Sequence, residues 1–418
     1  MRTICSRCKG ESHKASGKPC QDYAYTEHSN SLSMAIVSDG HGGAHYFRSD
    51  VGSKKAVMIA RDAIISFVAN MEKATLNTTG MNSVFEGADF TSFYTKTASD
   101  EQFETPAHKL LMWLFSSIIN QWNAAITEDA RSRDLTDWEI SHVEQKYKDE
   151  FLANRQDENA TFEKIYGCTL MAYVQTPTFW FAFHLGDGKL VSLDIEEGKL
   201  VCKQPVPWDT DCFINKTTSM CDAKALNEFR YCYEGNGHFP IAVFLGSDGM
   251  DDSYGDGEQL YDFYINVYKQ IAKSGLSDAE LILSRALPII SEQGSRDDMS
   301  VAGVFDEKLL NQNFEILVNY QKALLIERRD TLKALQPELE KKIASFGEPS
   351  SLDIKAKANL FYAQKDLDNN LKEQKEISKK CKQLTDEYTS FVRAHITPKT
   401  EKKASKPLKQ GRLTLKKK

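Results

Sequence analysis

The sequence predicts an α+β fold followed by an α-helical hairpin. Three observations carry this. Short β-rich runs occur in clusters separated by helix pairs, which favours α+β layers over a doubly wound parallel sheet. Each run is bounded by Gly, Pro, Asp or Asn, as strands usually are. After Phe305 the strand signal stops, Gly becomes scarce, and apolar residues step by heptads.

In chain order, the β-rich runs are residues 33–37, 169–175, 179–184, 190–193, 241–245 and 300–305. They are β-branched or aromatic, which suits a pleated, buried surface. Helical periodicity appears at 51–71, 110–130, 259–273 and 279–290. The stretch 74–105, rich in Thr, Ser, Asn and Gly, reads as a loop or insertion, and 132–163 also exceeds what a minimal core needs. Beyond residue 306, Leu325, Leu332, Leu339 and Phe346 lie on a seven-residue step, and Pro337 should kink that helix. A second helix offers Leu367, Leu371, Leu384, Tyr388 and Phe391. The break Phe346-Gly347-Glu348-Pro349 makes an antiparallel hairpin the simplest arrangement. The organisation expected is therefore 1–306 as the main domain, 307–397 as a helical hairpin or coiled coil, and 398–418 as a basic, disordered tail. The hairpin either packs on a partner surface within the chain or supports self-association.

A length of 418 residues allows two or three domains. With 41% hydrophobic and 27% charged residues, the chain has the composition of a globular protein. No run approaches the roughly 18 apolar residues of a membrane span, and residues 1–8 lack the apolar core of a secretory signal. The expected location is cytoplasmic, with the nine cysteines reduced. Cys5-x-x-Cys8 is half of a zinc motif, but no second pair follows. The net charge is −6; the segment 398–418 carries +8, so the rest carries −14. An acidic body argues against a main domain that grips nucleic acid.

The chemistry is concentrated where strands should end. Asp39-Gly40-His41-Gly42-Gly43 follows one apolar run, and Ser247-Asp248-Gly249-Met250-Asp251-Asp252 follows another. Gln21-Asp22, Gly186-Asp187-Gly188 and Gly294-Ser295-Arg296-Asp297-Asp298-Met299 complete the set. A stiff strand holds such an Asp firmly while leaving it free to face a cleft. Carboxylates converging on one point repel each other strongly, so a cation must compensate. Oxygen-only ligands favour Mg²⁺ or Mn²⁺ over zinc. Taken singly, Asp187-Gly188 reads as a hairpin turn and His41 as an ordinary loop histidine; the joint order lifts the functional reading.

In that order the chain resembles the PP2C (PPM) family of metal-dependent serine/threonine protein phosphatases, of bacterial type, from about Gly10 to Phe305. The resemblance rests on Gln21-Asp22, Asp39 to Gly43, Gly167-Cys168-Thr169, Gly186 to Gly188, Ser247 to Asp252 and Gly294 to Val301. It implies a two-layer sandwich of antiparallel sheets flanked by helices, with a metal centre at one end. It implies that Asp22, Asp39, Asp248 and Asp297 ligate two Mg²⁺ or Mn²⁺ ions with the carbonyl of Gly40, and that a bridging water attacks the phosphoester directly. His41 would match the general acid, with Asp39 the central ligand of the reaction. Asp187 and Asp252, with Asp248, would match a third, weaker ion. The implied partners are a phosphorylated protein substrate and a cognate Ser/Thr kinase. The alternative is a phosphoprotein-binding scaffold of the same fold that acts through its helical extension.

Three departures stand out. Gln21 replaces the family's usual Glu, and Asp298 replaces its usual Asn, adding negative charge. The usual phosphate-binding arginine has no clear equivalent; His13, Lys14 or Lys18 would take its place, with Arg7 more distant.

Overall fold

The computed structural model describes residues 1–77, 84–209, 217–255, 257–347 and 353–395. The tail 398–418 lies outside them. Two compact units emerge, Met1–Gln321 and Lys322–Lys418.

The first unit holds two antiparallel sheets. One has the strand order β1 (Arg2–Cys8), β11 (Met299–Phe305), β10 (Ala242–Gly246), β7 (Lys189–Glu196), β8 (Lys199–Lys203). The other runs β2 (Tyr23–His28), β3 (Ser33–Ser38), β5 (Leu170–Gln175), β6 (Trp180–Leu185), β9 (Arg230–Glu234), β4 (Thr91–Phe93). Period-two alternation explains their stacking. Ala35 and Val37 of β3 pack with Val243, Leu245, Ala302 and Val304 of the other sheet. Met34 and Ile36 point the other way, into a core shared with Leu111, Phe115 and Trp122 of the helix Pro106–Ser132. A strand covered on both faces must be apolar throughout, so β3 is buried at all six positions. On the outer face of the first sheet, Tyr264 of the helix Gly257–Ser274 stacks on Phe244 at 4.9 Å.

Five strands, β1, β2, β4, β8 and β9, go beyond the six β-rich runs. β1 mixes polar and apolar residues at the sheet edge, yet pairs with β11 along its whole length. Cys5 and Cys8 lie three residues apart on it and so face opposite sides, which dismantles the half zinc motif. β8 and β9 are short, and β4 lies inside the stretch expected to be loop, where it pairs with β9. The sheet edge also explains why the stretch 74–105 is long: it supplies a strand.

The long helix Glu307–Ser345 begins in the first unit, where Leu310, Phe314, Leu317 and Val318 are buried. The compact unit therefore extends to Gln321, past the expected boundary at 306. The helix continues through Pro337. In the second unit, Leu332 and Ile377 are buried, and Asn370 donates to the Leu332 carbonyl at 2.9 Å across the two helices. Among the described residues no helix is long and apolar enough to cross a membrane.

Candidate metal centre

The strand pairings bring the acidic segments to one end of the sandwich. Tyr23 pairs with Ser38, so Asp22 and Asp39 are adjacent. Gly246 pairs with both Val301 and Lys189, so Asp248, Asp297 and Asp187 follow from the same register. A cleft of about 90 Å³ opens there, with Asp39, Gly40, Asp187, Asp248 and Asp297 in its wall. His13, Gln21 and His41 also line it. Asp22 lies behind this wall, 1% exposed, and Asp252 beside it.

Local structure fixes each backbone. The Asp39 amide donates to Thr169 Oγ1 at 3.0 Å, and the Thr169 amide donates to the Asp39 carbonyl at 2.8 Å. Gly40 must lack a side chain: a Cβ there would sit 2.6 Å from the Ser49 carbonyl oxygen and 2.8 Å from that of Gln21. Gln21 spends its amide nitrogen on the His41 carbonyl, at 3.0 Å, and on Ser49 Oγ. Its Oε1 remains buried and without a hydrogen bond among the described residues.

The electrostatics point to missing positive charge. Burial, then the neighbouring Asp298 charge, pushes Asp22 up to about 8. Burial, with Asp22 and Asp248 nearby, raises Asp39 well above the carboxylate range. Burial raises Asp248 to about 6, against a hydrogen bond it shares with Asp39. Asp187 and Asp252 are likewise raised by burial, and each faces another carboxylate. Both Asp22 oxygens and Asp248 Oδ1 are buried with no hydrogen-bond partner among the described residues. Orphaned buried acceptors of this kind carry a large desolvation cost. An all-oxygen set of this charge fits Mg²⁺ or Mn²⁺.

Two expectations are revised. Asp298 adds its charge in the wall of the cleft, where it raises Asp22, but the fold satisfies its carboxylate. It is 2% exposed and accepts from the Gly10 amide at 2.6 Å, the Gln21 amide at 2.5 Å and His13 Nδ1 at 2.8 Å. Burial alone would raise its pKa, but these three donors hold it below the usual value. Asn could not accept all three without turning its own N–H₂ toward a donor. His13 is thereby committed: in the wall of the cleft its Nδ1 is on Asp298 and its Nε2 lies 3.8 Å from Asp297 Oδ1, so both ring nitrogens face carboxylates. Lys18 keeps the phosphate position open to it. Its Nζ donates to the Gly42 carbonyl at 2.8 Å, and Asp297, Asp298 and Asp39 partly offset the burial that lowers its pKa.

Sequence reasoning missed two neighbours. His41 Nε2 lies 2.7 Å from Ser219 Oγ, on a segment with no motif to flag it. Burial, then the nearby His45, lowers His41 to about 4, so the ring is neutral at pH 7. Lys189 Nζ stands 3.2 Å over the Trp208 ring and 3.5 Å from Asp251 Oδ2, a resident cation beside Asp252. A Lys directly after Gly188 was visible in the sequence, but its direction was not.

A family model described as protein phosphatase 2C matches residues 9–284, well over half of the sequence. The chain belongs to the PP2C family of protein phosphatases. The match ends before Asp297 and Asp298, which the fold itself brings to the cleft. Similar solved structures include a bacterial serine phosphatase, 14% identical, with 73% of this chain and 99% of that chain covered and a TM-score of 0.39. The catalytic domain of the serine/threonine phosphatase PstP, in complex with two manganese ions, is 15% identical, covers 73% and 98%, and has a TM-score of 0.38. The S. agalactiae serine/threonine phosphatase is 12% identical, covers 73% and 99%, and scores 0.38. No curated protein matches the sequence. The family assignment rests on the family model alone.

Proposed function

We propose that the chain is a Mg²⁺- or Mn²⁺-dependent phosphatase of phosphoserine and phosphothreonine in proteins. The observation that carries this is the convergence of carboxylates at one end of the sandwich, where Asp22 and one oxygen of Asp248 are buried without a hydrogen bond among the described residues. Asp22, Asp39, Asp248 and Asp297, with the Gly40 carbonyl, would hold two ions. Bound there, such ions supply hydroxide near neutral pH and screen the charge of the phosphate. Asp187 and Asp252, with Asp248, would hold a third ion weakly, in competition with the Lys189 ammonium.

The chain's own residues do the rest. Lys18 places a point charge at the cleft rim for phosphate oxygens, without the bidentate fork an arginine would offer. His41 is neutral, and with Nε2 against Ser219 Oγ it would hydrogen-bond the leaving oxygen through Nδ1–H; full proton transfer would need its minor imidazolium form. Burial pushes the Cys20 thiol up to about 12, which argues against a thiolate nucleophile near the site. A protein kinase acting on the same substrate would be the opposing partner.

The test is hydrolysis of p-nitrophenyl phosphate and a phosphothreonine peptide, with and without Mn²⁺, by the native chain and Asp39→Asn. Metal-dependent turnover that collapses in the variant is expected. A folded native chain with no turnover would leave a phosphoprotein-binding scaffold instead.

A further inference from the structure

We propose that the rings of Tyr46, His45 and Tyr147 form the platform on which the polypeptide part of the substrate lies; this rests on the phosphatase reading above. In that reaction the oxygen of water bonds to phosphorus and the bond from phosphorus to the Ser or Thr oxygen breaks. The leaving oxygen then takes up a proton, giving phosphate and a free hydroxyl side chain. It is the atom that most needs a donor beside it. Of the cleft's proton-bearing side chains, His13 is bonded to Asp298, and Lys18, with one proton on the Gly42 carbonyl, is assigned to the phosphate oxygens. His41 lines the wall; with Nε2 against Ser219 Oγ, its Nδ1 is the atom left to donate to the leaving oxygen. The leaving oxygen therefore faces His41, and the polypeptide attached to it must continue over the surface next to that ring.

That surface is a row of rings. Tyr46 stands edge-on to His41 with ring centres 4.8 Å apart. His45 follows at 3.9 Å from Tyr46, and Tyr147 at 6.1 Å from His45. The first three belong to the segment that starts at Asp39. Tyr147 comes from the helix Gln145–Asn154, inside the stretch 132–163 that exceeds a minimal core. The row starts from a rigid base. Gly167 has no side chain, and a Cβ there would lie 2.8 Å from both the His41 and the Tyr46 rings. Tyr46, His45 and Tyr147 are each only partly buried. Lys146 ends the row, its Nζ 4.5 Å over the Tyr147 ring. Tyrosine rings offer large contact area at low cost in side-chain entropy, and a polar edge for main-chain groups. The fitting substrate is an extended phosphopeptide with a residue that stacks at Tyr147. A compact phosphomonoester ends short of the row.

The experiment compares kcat/KM for a phosphothreonine peptide and for p-nitrophenyl phosphate, with Mn²⁺, in the native chain, Tyr147→Ala and Tyr147→Phe. The ratio of peptide to small substrate should fall about fivefold in Tyr147→Ala, mainly through KM, and return in Tyr147→Phe. An unchanged ratio in Tyr147→Ala overturns the platform. Binding of a fluorescein-labelled phosphonate analogue of the peptide is measured in parallel by anisotropy. If the native chain hydrolyses neither substrate, the phosphatase reading fails and binding decides: a similar loss in Tyr147→Ala keeps the platform, and equal binding removes it.

Discussion

The two ends of the sandwich treat their acidic residues in opposite ways. At one end Asp306 follows β11, and its Oδ1 accepts from the Lys308 and Leu309 amides at 2.8 and 2.9 Å, capping the long helix. The buried Asp194 there accepts from the Ser192 hydroxyl at Oδ2, 3.2 Å away, while its Oδ1, without a hydrogen bond among the described residues, lies 3.3 Å from His238 Nε2. At the other end Asp248 follows β10, and one of its oxygens has no partner among the described residues. Asp22 has no well-formed hydrogen bond at either oxygen among the described residues, and the nearby Ser247 and Ser300 hydroxyls only partly offset the burial and the Asp298 charge that raise it. For Asp306 and Asp248 the contexts in sequence are alike, a buried strand and then an Asp. What differs is whether the fold itself supplies donors. Where it does, the carboxylate serves stability; where it does not, the carboxylate awaits a cation.

Exchanging the two should give the largest effect. Asp248→Asn should lower metal-dependent turnover by about 10³-fold or more, because it weakens the site that generates the nucleophile. Asp306→Ala should leave turnover within a factor of two while costing about 1 kcal/mol of stability through the lost cap. Steady-state kinetics and urea unfolding of both variants check this.

Metal removal sharpens the contrast next. Asp22, Asp39, Asp187, Asp248 and Asp252 have raised pKa values in the metal-free fold, so at these groups the folded chain binds more protons than the unfolded chain. Stability of the metal-free protein should therefore be greatest near pH 4–5 and fall as pH rises toward about 8, the value of Asp22. Saturating Mn²⁺, at about 100 times its dissociation constant, should restore about 2.7 kcal/mol. The gain in melting temperature should be larger at pH 8 than at pH 5. A metal-free protein whose stability rises from pH 5 to 8 would contradict the electrostatic account.

Asp298 crosses the comparison, being an acid at the cleft end that the fold does satisfy. Asp298→Asn should cost about 2 kcal/mol, since the Asn N–H₂ would face one of the buried donors, the Gly10 amide or the Gln21 amide with His13, in place of an acceptor. It should also weaken Mn²⁺ binding severalfold by loosening the segment that carries Asp22, which a calorimetric titration would show. Unchanged unfolding would remove its anchoring role. The smallest effect is expected at the rim. Lys18→Ala should raise KM for phosphopeptide about tenfold with kcat little changed, and Lys18→Arg should restore it. Equal KM values in the three proteins would take Lys18 out of phosphate recognition.

Much of this was legible in the sequence for a physical reason. β3 and β10 are covered on both faces, so they read as unbroken apolar runs, and the turn after each must expose its Asp. β1 was not legible, because an edge strand reading Arg-Thr-Ile-Cys-Ser-Arg-Cys shows no such run. β4 was hidden by its length of three residues. Residue type marked Asp298 as an added charge, yet only the fold shows that three donors surround it. The same limit applies to His13, whose partner lies 285 residues away. The boundary at 306 was read from where strands stop. The compact unit runs on because the next helix begins with an apolar face, Leu310, Phe314 and Leu317, that the first unit buries.

The most direct test of the cleft's nature is a Mn²⁺ titration of the metal-free native chain and of Asp248→Asn at pH 7.5, read by calorimetry. Two ions bound tightly by the native chain, and at least one lost in the variant, are the predicted result. Equal Mn²⁺ binding by the two proteins would contradict the claim that these unpartnered carboxylates form a metal centre.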